Sequence, residues 1–193
     1  MGKGKVEKAK PALVRVFIGI PLQQELREEI GTFEGVLKKA EGIKAVKPDN
    51  LHVTLKFIGN TPERKLDRIK EIIDKSCEGI KPFVIKPSGL SAFPSPDKAS
   101  VVWLDCGQEA ACAVTIFNSL EKKLRALAFA GEKKEYIPHI TVARSRKTAD
   151  ITKIQNAIKP SGASSADCVV LYKSDLKPDG PVYTELYKRK LGE

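Results

Sequence analysis

His52 and His139 are the only imidazoles in the 193-residue chain, and both open the same four-residue pattern. One copy reads His52, Val53, Thr54, Leu55; the other reads His139, Ile140, Thr141, Val142. In an extended strand successive side chains alternate faces, so each His shares a face with its Thr, about 6.6 Å apart along the strand. The apolar residues between them then face a core. Each copy is thus an imidazole beside a hydroxyl on a rigid, apolar-backed strand. With an unperturbed pKa of about 6.5, one imidazole can be neutral and accept a proton while a second is charged and donates one. The Thr hydroxyls can donate hydrogen bonds to the non-bridging oxygens of a bound phosphate. That is the equipment for in-line displacement at phosphorus, with a base on the attacking side, an acid at the leaving oxygen, and a metal optional where donors stabilise the anion. A lone strand histidine is more often a buried, satisfied residue; repetition of the whole tetrad reverses those odds.

The elements that must position these residues alternate along the chain. Arg15–Ile20 reads as a buried strand closed by Pro21, and Leu22, Leu26, Ile30, Phe33 and Leu37 recur at helical spacing to about Lys39. Pro48–Asn50 is a turn leading into a strand over Leu51–Ile58. Thr61 and Pro62 suit the N-cap and first position of a helix that runs to about Cys77. Strands are expected near Phe83–Leu90 and Ser100–Cys106, with a Pro-rich surface loop at Phe93–Asp97 between them. A third amphipathic helix covers about Ala110–Ala128, and Tyr136–Arg144 is a strand. A short helix over Ile151–Ile158 and strands over Ala166–Lys173 and Val182–Arg189 complete the chain. Helices on antiparallel strands predict an α+β fold rather than a doubly wound parallel sheet. The tetrads begin at residues 52 and 139, a spacing that suits two related halves facing each other across a cleft.

Composition narrows the chemistry. Two histidines and four cysteines (Cys77, Cys106, Cys112, Cys168), with no C-x-x-C pair, make a zinc site improbable. The cysteines read as buried thiols rather than a disulfide framework. No Gly-rich phosphate loop of standard spacing is present. No run approaches the roughly 18–20 apolar residues of a membrane span. The first ten residues lack the apolar stretch of a secretory signal, and Val6 stands where N-myristoylation wants Ser or Thr. A cytoplasmic protein with a solvated basic arm at its N-terminus is the expectation. The net charge of +10 favours a polyanionic partner, RNA above all.

With these residues in place, the sequence resembles the two-histidine phosphoesterases, and within them the RNA 2′,3′-cyclic phosphodiesterases, also called 2′-5′ RNA ligases. The match is carried by Arg15–Pro21, Pro48–Gly59 around the first tetrad, Phe93–Pro96 with Val101–Leu104, Pro138–Arg144 around the second tetrad, and Leu171–Leu176 with Gly180–Tyr183. It runs from about Leu13 to Leu191 with neither tetrad altered. The resemblance implies a bilobal α+β fold, with two facing antiparallel sheets, helices packed outside and the duplicated tetrads lining a central cleft. It also implies residues 1–12 as a basic arm and 13–193 as a single domain. Its reaction opens RNA 2′,3′-cyclic phosphate ends, tRNA fragments among them, to 2′-phosphates. In that scheme His139 accepts a proton from water, His52 donates one to the departing 3′ oxygen, Thr54 and Thr141 bind the phosphate, and no cofactor takes part. A 5′-hydroxyl RNA end in place of water gives a 2′-5′ linkage. A monomer without membrane association is expected.

Weaker candidates surround the tetrads. Strict alternation puts Lys56 on the His52–Thr54 face, within reach of RNA phosphates, although a solvated strand-end lysine fits equally. Alternation puts Arg144 on the opposite face from His139, so it reaches the phosphate only if the strand twists or ends there. Phe93, Trp103 and Tyr183 are candidates for stacking on a terminal base, against a commoner core role. Ser95 and Ser100 have no histidine neighbour in sequence, so a serine nucleophile is not indicated. Two alternatives remain at this point: a non-catalytic RNA- or nucleotide-binding module on the same fold, and a phosphodiesterase for small cyclic nucleotides.

Overall fold

A computed structural model describes residues 12–132 and 134–193, so the basic arm expected over residues 1–12 lies almost wholly outside the described residues. Strands β1 (Leu13–Pro21), β2 (Ile43–Ala45), β3 (His52–Pro62), β4 (Phe83–Ile85), β5 (Leu90–Phe93), β6 (Ala99–Asp105), β7 (His139–Ala149), β8 (Ser164–Ala166), β9 (Cys168–Lys177) and β10 (Gly180–Lys190) alternate with four helices. These are α1 (Gln24–Thr32), α2 (Glu34–Leu37), α3 (Leu66–Cys77) and α4 (Ala111–Arg125). Every strand pairing is antiparallel. The fold is α+β, as the alternation of helix and strand signals predicts.

Eight of the strands form two half-sheets, while β4 and β8 pair by themselves in a separate two-stranded sheet. One runs β10-β9-β1-β3; the other joins β7 to β6 and β5, with β2 on the free side of β7. The halves are joined through a single residue pair, Val53 of β3 opposite Ile140 of β7. Both residues belong to the tetrads, so the two catalytic candidates start at the seam between the halves. Behind the seam, Val53, Leu55, Ile140 and Val142 share one buried core with Ile69 and Ile73 of α3 and Ile116 and Leu120 of α4. The helices therefore cover the face opposite the histidines. Burying apolar side chains of this size stabilises by about 1.5–3 kcal/mol each, which fixes the tetrad strands from behind.

Local departures from the sequence reading have local causes. The pattern from Leu22 to Lys39 breaks after Thr32 into α1 and α2, where Gly31, Thr32 and Gly35 weaken the helix. Thr61 does not cap a helix: pairing with β1 continues through Pro62, and the Thr61 hydroxyl donates instead to the Gly59 carbonyl at 3.1 Å. Ile151–Ile158 holds only a single 3-10 turn at Gln155–Ala157. There the Asp150 carboxylate accepts from the Thr152 N–H and hydroxyl, an Asx turn that supplants the first helical turn. Its isoleucines at 151, 154 and 158 still reach the core. All four cysteines are unpaired thiols, three of them buried. Among the described residues no helix is long and apolar enough to cross a membrane.

Candidate active site

The two tetrad strands are built alike. Both β3 and β7 span 11 residues from their histidine, and the first six positions follow the same order of burial. Each also carries a β-bulge at the same place. Gly19 pairs with Thr54 but Ile18 pairs with Lys56, leaving Leu55 as the extra residue. Likewise Trp103 pairs with Thr141 but Val102 pairs with Ala143, leaving Val142 extra. A bulge inserts one residue and so inverts the alternation beyond it. His and Thr before the bulge face the cleft, and so does the third residue after Thr: Phe57 in one strand, Arg144 in the other.

That inversion corrects both predictions made by strict alternation. Lys56 lies on the core side, 3% exposed, and its Nζ meets Glu121 Oε2 at 2.8 Å and Glu132 Oε1 at 3.1 Å. It does not reach the cleft. Arg144 does, alongside His139 and Thr141. Burial opposes ionisation of Glu121, but hydrogen bonds from Lys56, Arg125 and the Glu132 N–H outweigh it and hold the carboxyl below its usual range. The Tyr136 hydroxyl donates to the Thr54 carbonyl at 3.0 Å, while its ring stacks on Phe117 of α4 at 4.2 Å. Lys56, Glu121 and Tyr136 thus tie the segment that walls one side of the cleft to β3 and α4.

Both imidazoles are held the same way. His52 Nδ1 lies 2.8 Å from the Asn50 carbonyl and His139 Nδ1 lies 2.7 Å from the Ile137 carbonyl, each two residues upstream. A carbonyl only accepts, so Nδ1 carries the proton in both rings and Nε2 is left for chemistry. His52 Nε2 sits 2.9 Å from Thr54 Oγ1, which donates to the neutral ring. Aromatic side chains fix the ring planes. Phe17 lies 4.8 Å from His52 and Tyr183 meets it edge-on at 5.4 Å; Phe93 meets His139 edge-on at 5.3 Å with Trp103 at 5.7 Å. Phe93, Trp103 and Tyr183 therefore all back the histidines, although Phe93 and Tyr183 also border open hollows. Burial pushes the His52 pKa down to about 4, with the Arg144 and His139 charges adding to the shift against the Asn50 hydrogen bond. Burial and then Arg144 lower His139 as well, opposed by its bond to Ile137. At neutral pH both rings are uncharged.

The space before them is a cleft of about 460 Å³ shared by Thr54, Phe57, Phe93, His139, Thr141 and Arg144. His52 borders an adjoining hollow with Tyr172 and Tyr183. The Arg15 guanidinium lies over the Phe57 ring, 4.8 Å from its centre, adding a cation at the cleft edge. No three of His, Cys, Asp and Glu gather to hold a metal among the described residues. Alternation along β1 did carry one signal left unused: Arg15, Phe17 and Gly19 share a face and line up beneath the site, while Val16, Ile18 and Ile20 enter the core. Gly19 matters because a Cβ there would lie 2.9 Å from the Val53 carbonyl oxygen and 3.3 Å from His52 Cδ2. Gly19→Ala is expected to displace the His52 ring and lower kcat by about tenfold or more while the protein stays folded. Steady-state rates beside a thermal melt check this, and an unchanged kcat would show that the ring has room to spare.

Paired His–Thr strands on a duplicated α+β scaffold define a class, the two-histidine phosphoesterases. The family model for LigT-like phosphoesterases matches residues 20–103, which include the first tetrad. The chain is 33% identical over 179 residues to an RNA 2′,3′-cyclic phosphodiesterase of Methanothermobacter thermautotrophicus, covering 90% of this chain and 96% of that protein. It is 35% identical over 175 residues to one from Methanocaldococcus jannaschii, covering 88% and 96%. In fold it is similar to E. coli LigT crystallised with 3′-AMP, at a TM-score of 0.80 over 94% of this chain and all of that one, with 23% identity. The chain belongs to the RNA 2′,3′-cyclic phosphodiesterase family of LigT-like phosphoesterases.

Proposed function

We propose that the protein hydrolyses 2′,3′-cyclic phosphate ends of RNA to 2′-phosphates by acid–base catalysis between two histidines, without a metal. The observation that carries the reading is the duplication itself: two Nε2 atoms, each freed by an Nδ1 hydrogen bond to a carbonyl, start from neighbouring strands at one seam. His139 Nε2 takes a proton from water as the water oxygen attacks phosphorus. The bond to the 3′ oxygen breaks, and His52 Nε2 delivers a proton to it. Thr54, Thr141 and Arg144 bind the non-bridging oxygens, and their hydrogen bonds and charge do the anion-stabilising work a metal would otherwise perform. The free site holds both rings neutral, so His52 gains its proton as the phosphate anion arrives and raises its pKa. With a 5′-hydroxyl RNA end in place of water, the same displacement forms a 2′-5′ linkage and leaves a 3′-hydroxyl.

The deciding experiment incubates the protein with an oligonucleotide ending in a 2′,3′-cyclic phosphate, in EDTA, and resolves the products. A 2′-phosphate end is expected, and a 2′-5′-joined product when a 5′-hydroxyl strand is added. An intact cyclic end, or a 3′-phosphate product, defeats the reading.

A further inference from the structure

Beside the catalytic cleft, one feature places like charges together, none of them in an ion pair among the described residues. Lys44 of β2 is the direct cross-strand partner of Arg144 of β7. Residues directly opposite in an antiparallel pair point to the same face with Cβ atoms about 4.5–5.5 Å apart, and like charges there are destabilising. Neither side chain is in an ion pair among the described residues, although the chain elsewhere pairs Lys56, Arg125 and Lys173 with carboxylates. Lys47, two residues beyond β2, is likewise without an acidic partner and comes to the same place. Three cations held against their mutual repulsion are what an anion site requires.

They line a hollow of about 180 Å³ with Asn50, Pro181 and Tyr183; Asp179 at its rim is the one carboxylate among its lining residues. This hollow is joined to the reactive site by construction. Arg144 also borders the catalytic cleft, and Tyr183 stands edge-on to His52. Asn50 donates from its side-chain amide to the Pro181 carbonyl at 2.9 Å, while its own carbonyl accepts the His52 Nδ1 proton. The hollow therefore keeps a fixed distance from the reacting phosphate. Arg144 and Lys44 stand one strand spacing apart, about 4.8 Å, and the flexible four-carbon stem of the lysine carries its ammonium beyond the phosphate that Arg144 meets.

We propose that this hollow is the subsite for the next phosphodiester of the RNA chain, the one joining the terminal nucleotide to its neighbour, gripped by Lys44 and Lys47 with Arg144 shared between two phosphates. The inference rests on the cyclic-phosphodiester reading and adds which residues hold the nucleotide that precedes the cyclic end.

The test compares kcat/KM for a 2′,3′-cyclic mononucleotide with that for a dinucleotide carrying the same cyclic end. The native protein is expected to prefer the dinucleotide by about tenfold or more, the effect of one charge-assisted phosphate contact. In the K44Q/K47Q protein that preference falls to about threefold or less, with mononucleotide turnover little changed, and added salt weakens the dinucleotide's remaining advantage less than it does in the native protein. A charge-matched K75Q/K122Q control on α3 and α4 keeps the preference. Equal loss on both substrates, or a preference that survives K44Q/K47Q, overturns the subsite. If the native protein turns over no cyclic phosphate, the activity reading fails by itself. Calorimetric affinities for 2′-phosphate-ended mono- and dinucleotides then decide the subsite, which stands only if K44Q/K47Q erases the dinucleotide advantage.

Discussion

Replacing His139 or His52 with alanine is expected to lower kcat/KM on a cyclic-phosphate RNA end by about 10²–10⁴-fold each, the range a positioned acid or base contributes. The double variant should lose far less than the product of the two losses, because one proton circuit is broken either way. The pH profile carries more information than the size of the loss. The chemistry needs one ring neutral and the other protonated, and burial lowers both pKa values in the free protein, His52 to about 4. The maximum of kcat/KM therefore falls below pH 6.5. The bound phosphate raises both values, so the maximum of kcat lies at higher pH than that of kcat/KM. His139→Ala should lose the acid limb and His52→Ala the alkaline limb; the reverse pattern would exchange their roles. The same depressed values act on stability. Unfolded imidazoles titrate near 6.5, so both contributions are intact above that pH and drain away as it falls towards about 4 and the unfolded chain takes up protons.

The second large effect concerns a residue outside the chemistry. Lys56→Met should destabilise the protein by about 3 kcal/mol, because it leaves the Glu121 carboxylate packed against β3 with its buried cation gone. Urea unfolding checks it, and the Lys56→Met/Glu121→Met double variant should recover much of the loss, since an apolar pair of similar volume can replace a buried ion pair. Had alternation placed Lys56 correctly, the same substitution would weaken RNA binding and leave stability alone. A stable Lys56→Met protein with impaired substrate affinity would restore that earlier placement.

Lys56 also marks where the sequence stops being readable. The tetrads announced themselves because a two-residue period needs only four residues to show a face; Thr54, His139 and Thr141 line one cleft, and His52 stands beside it in contact with Thr54. The bulges at Leu55 and Val142 were invisible. An extra residue in one strand is defined by the partner it fails to pair with, and those partners, Ile18–Gly19 and Val102–Trp103, lie some 35–40 residues away. Charge offered no help either, since a lysine reads alike whether it meets solvent, a phosphate or Glu121. The apolar spacing at 151, 154 and 158 shows the converse limit. A helix was expected there, yet the three isoleucines reach the core without one, because burial constrains side chains and an Asx turn claims the backbone.

The seam at Val53 and Ile140 is the common origin from which both histidines are measured. The half-sheets share that one pair, and behind it both pack on one buried core with α3 and α4. His52 and His139 are one residue from the seam, and Phe57, Arg144 and Tyr136 lie farther out. The two rings thus take their positions from backbone that both halves hold in common, and not from the rim residues that a polymer would meet first.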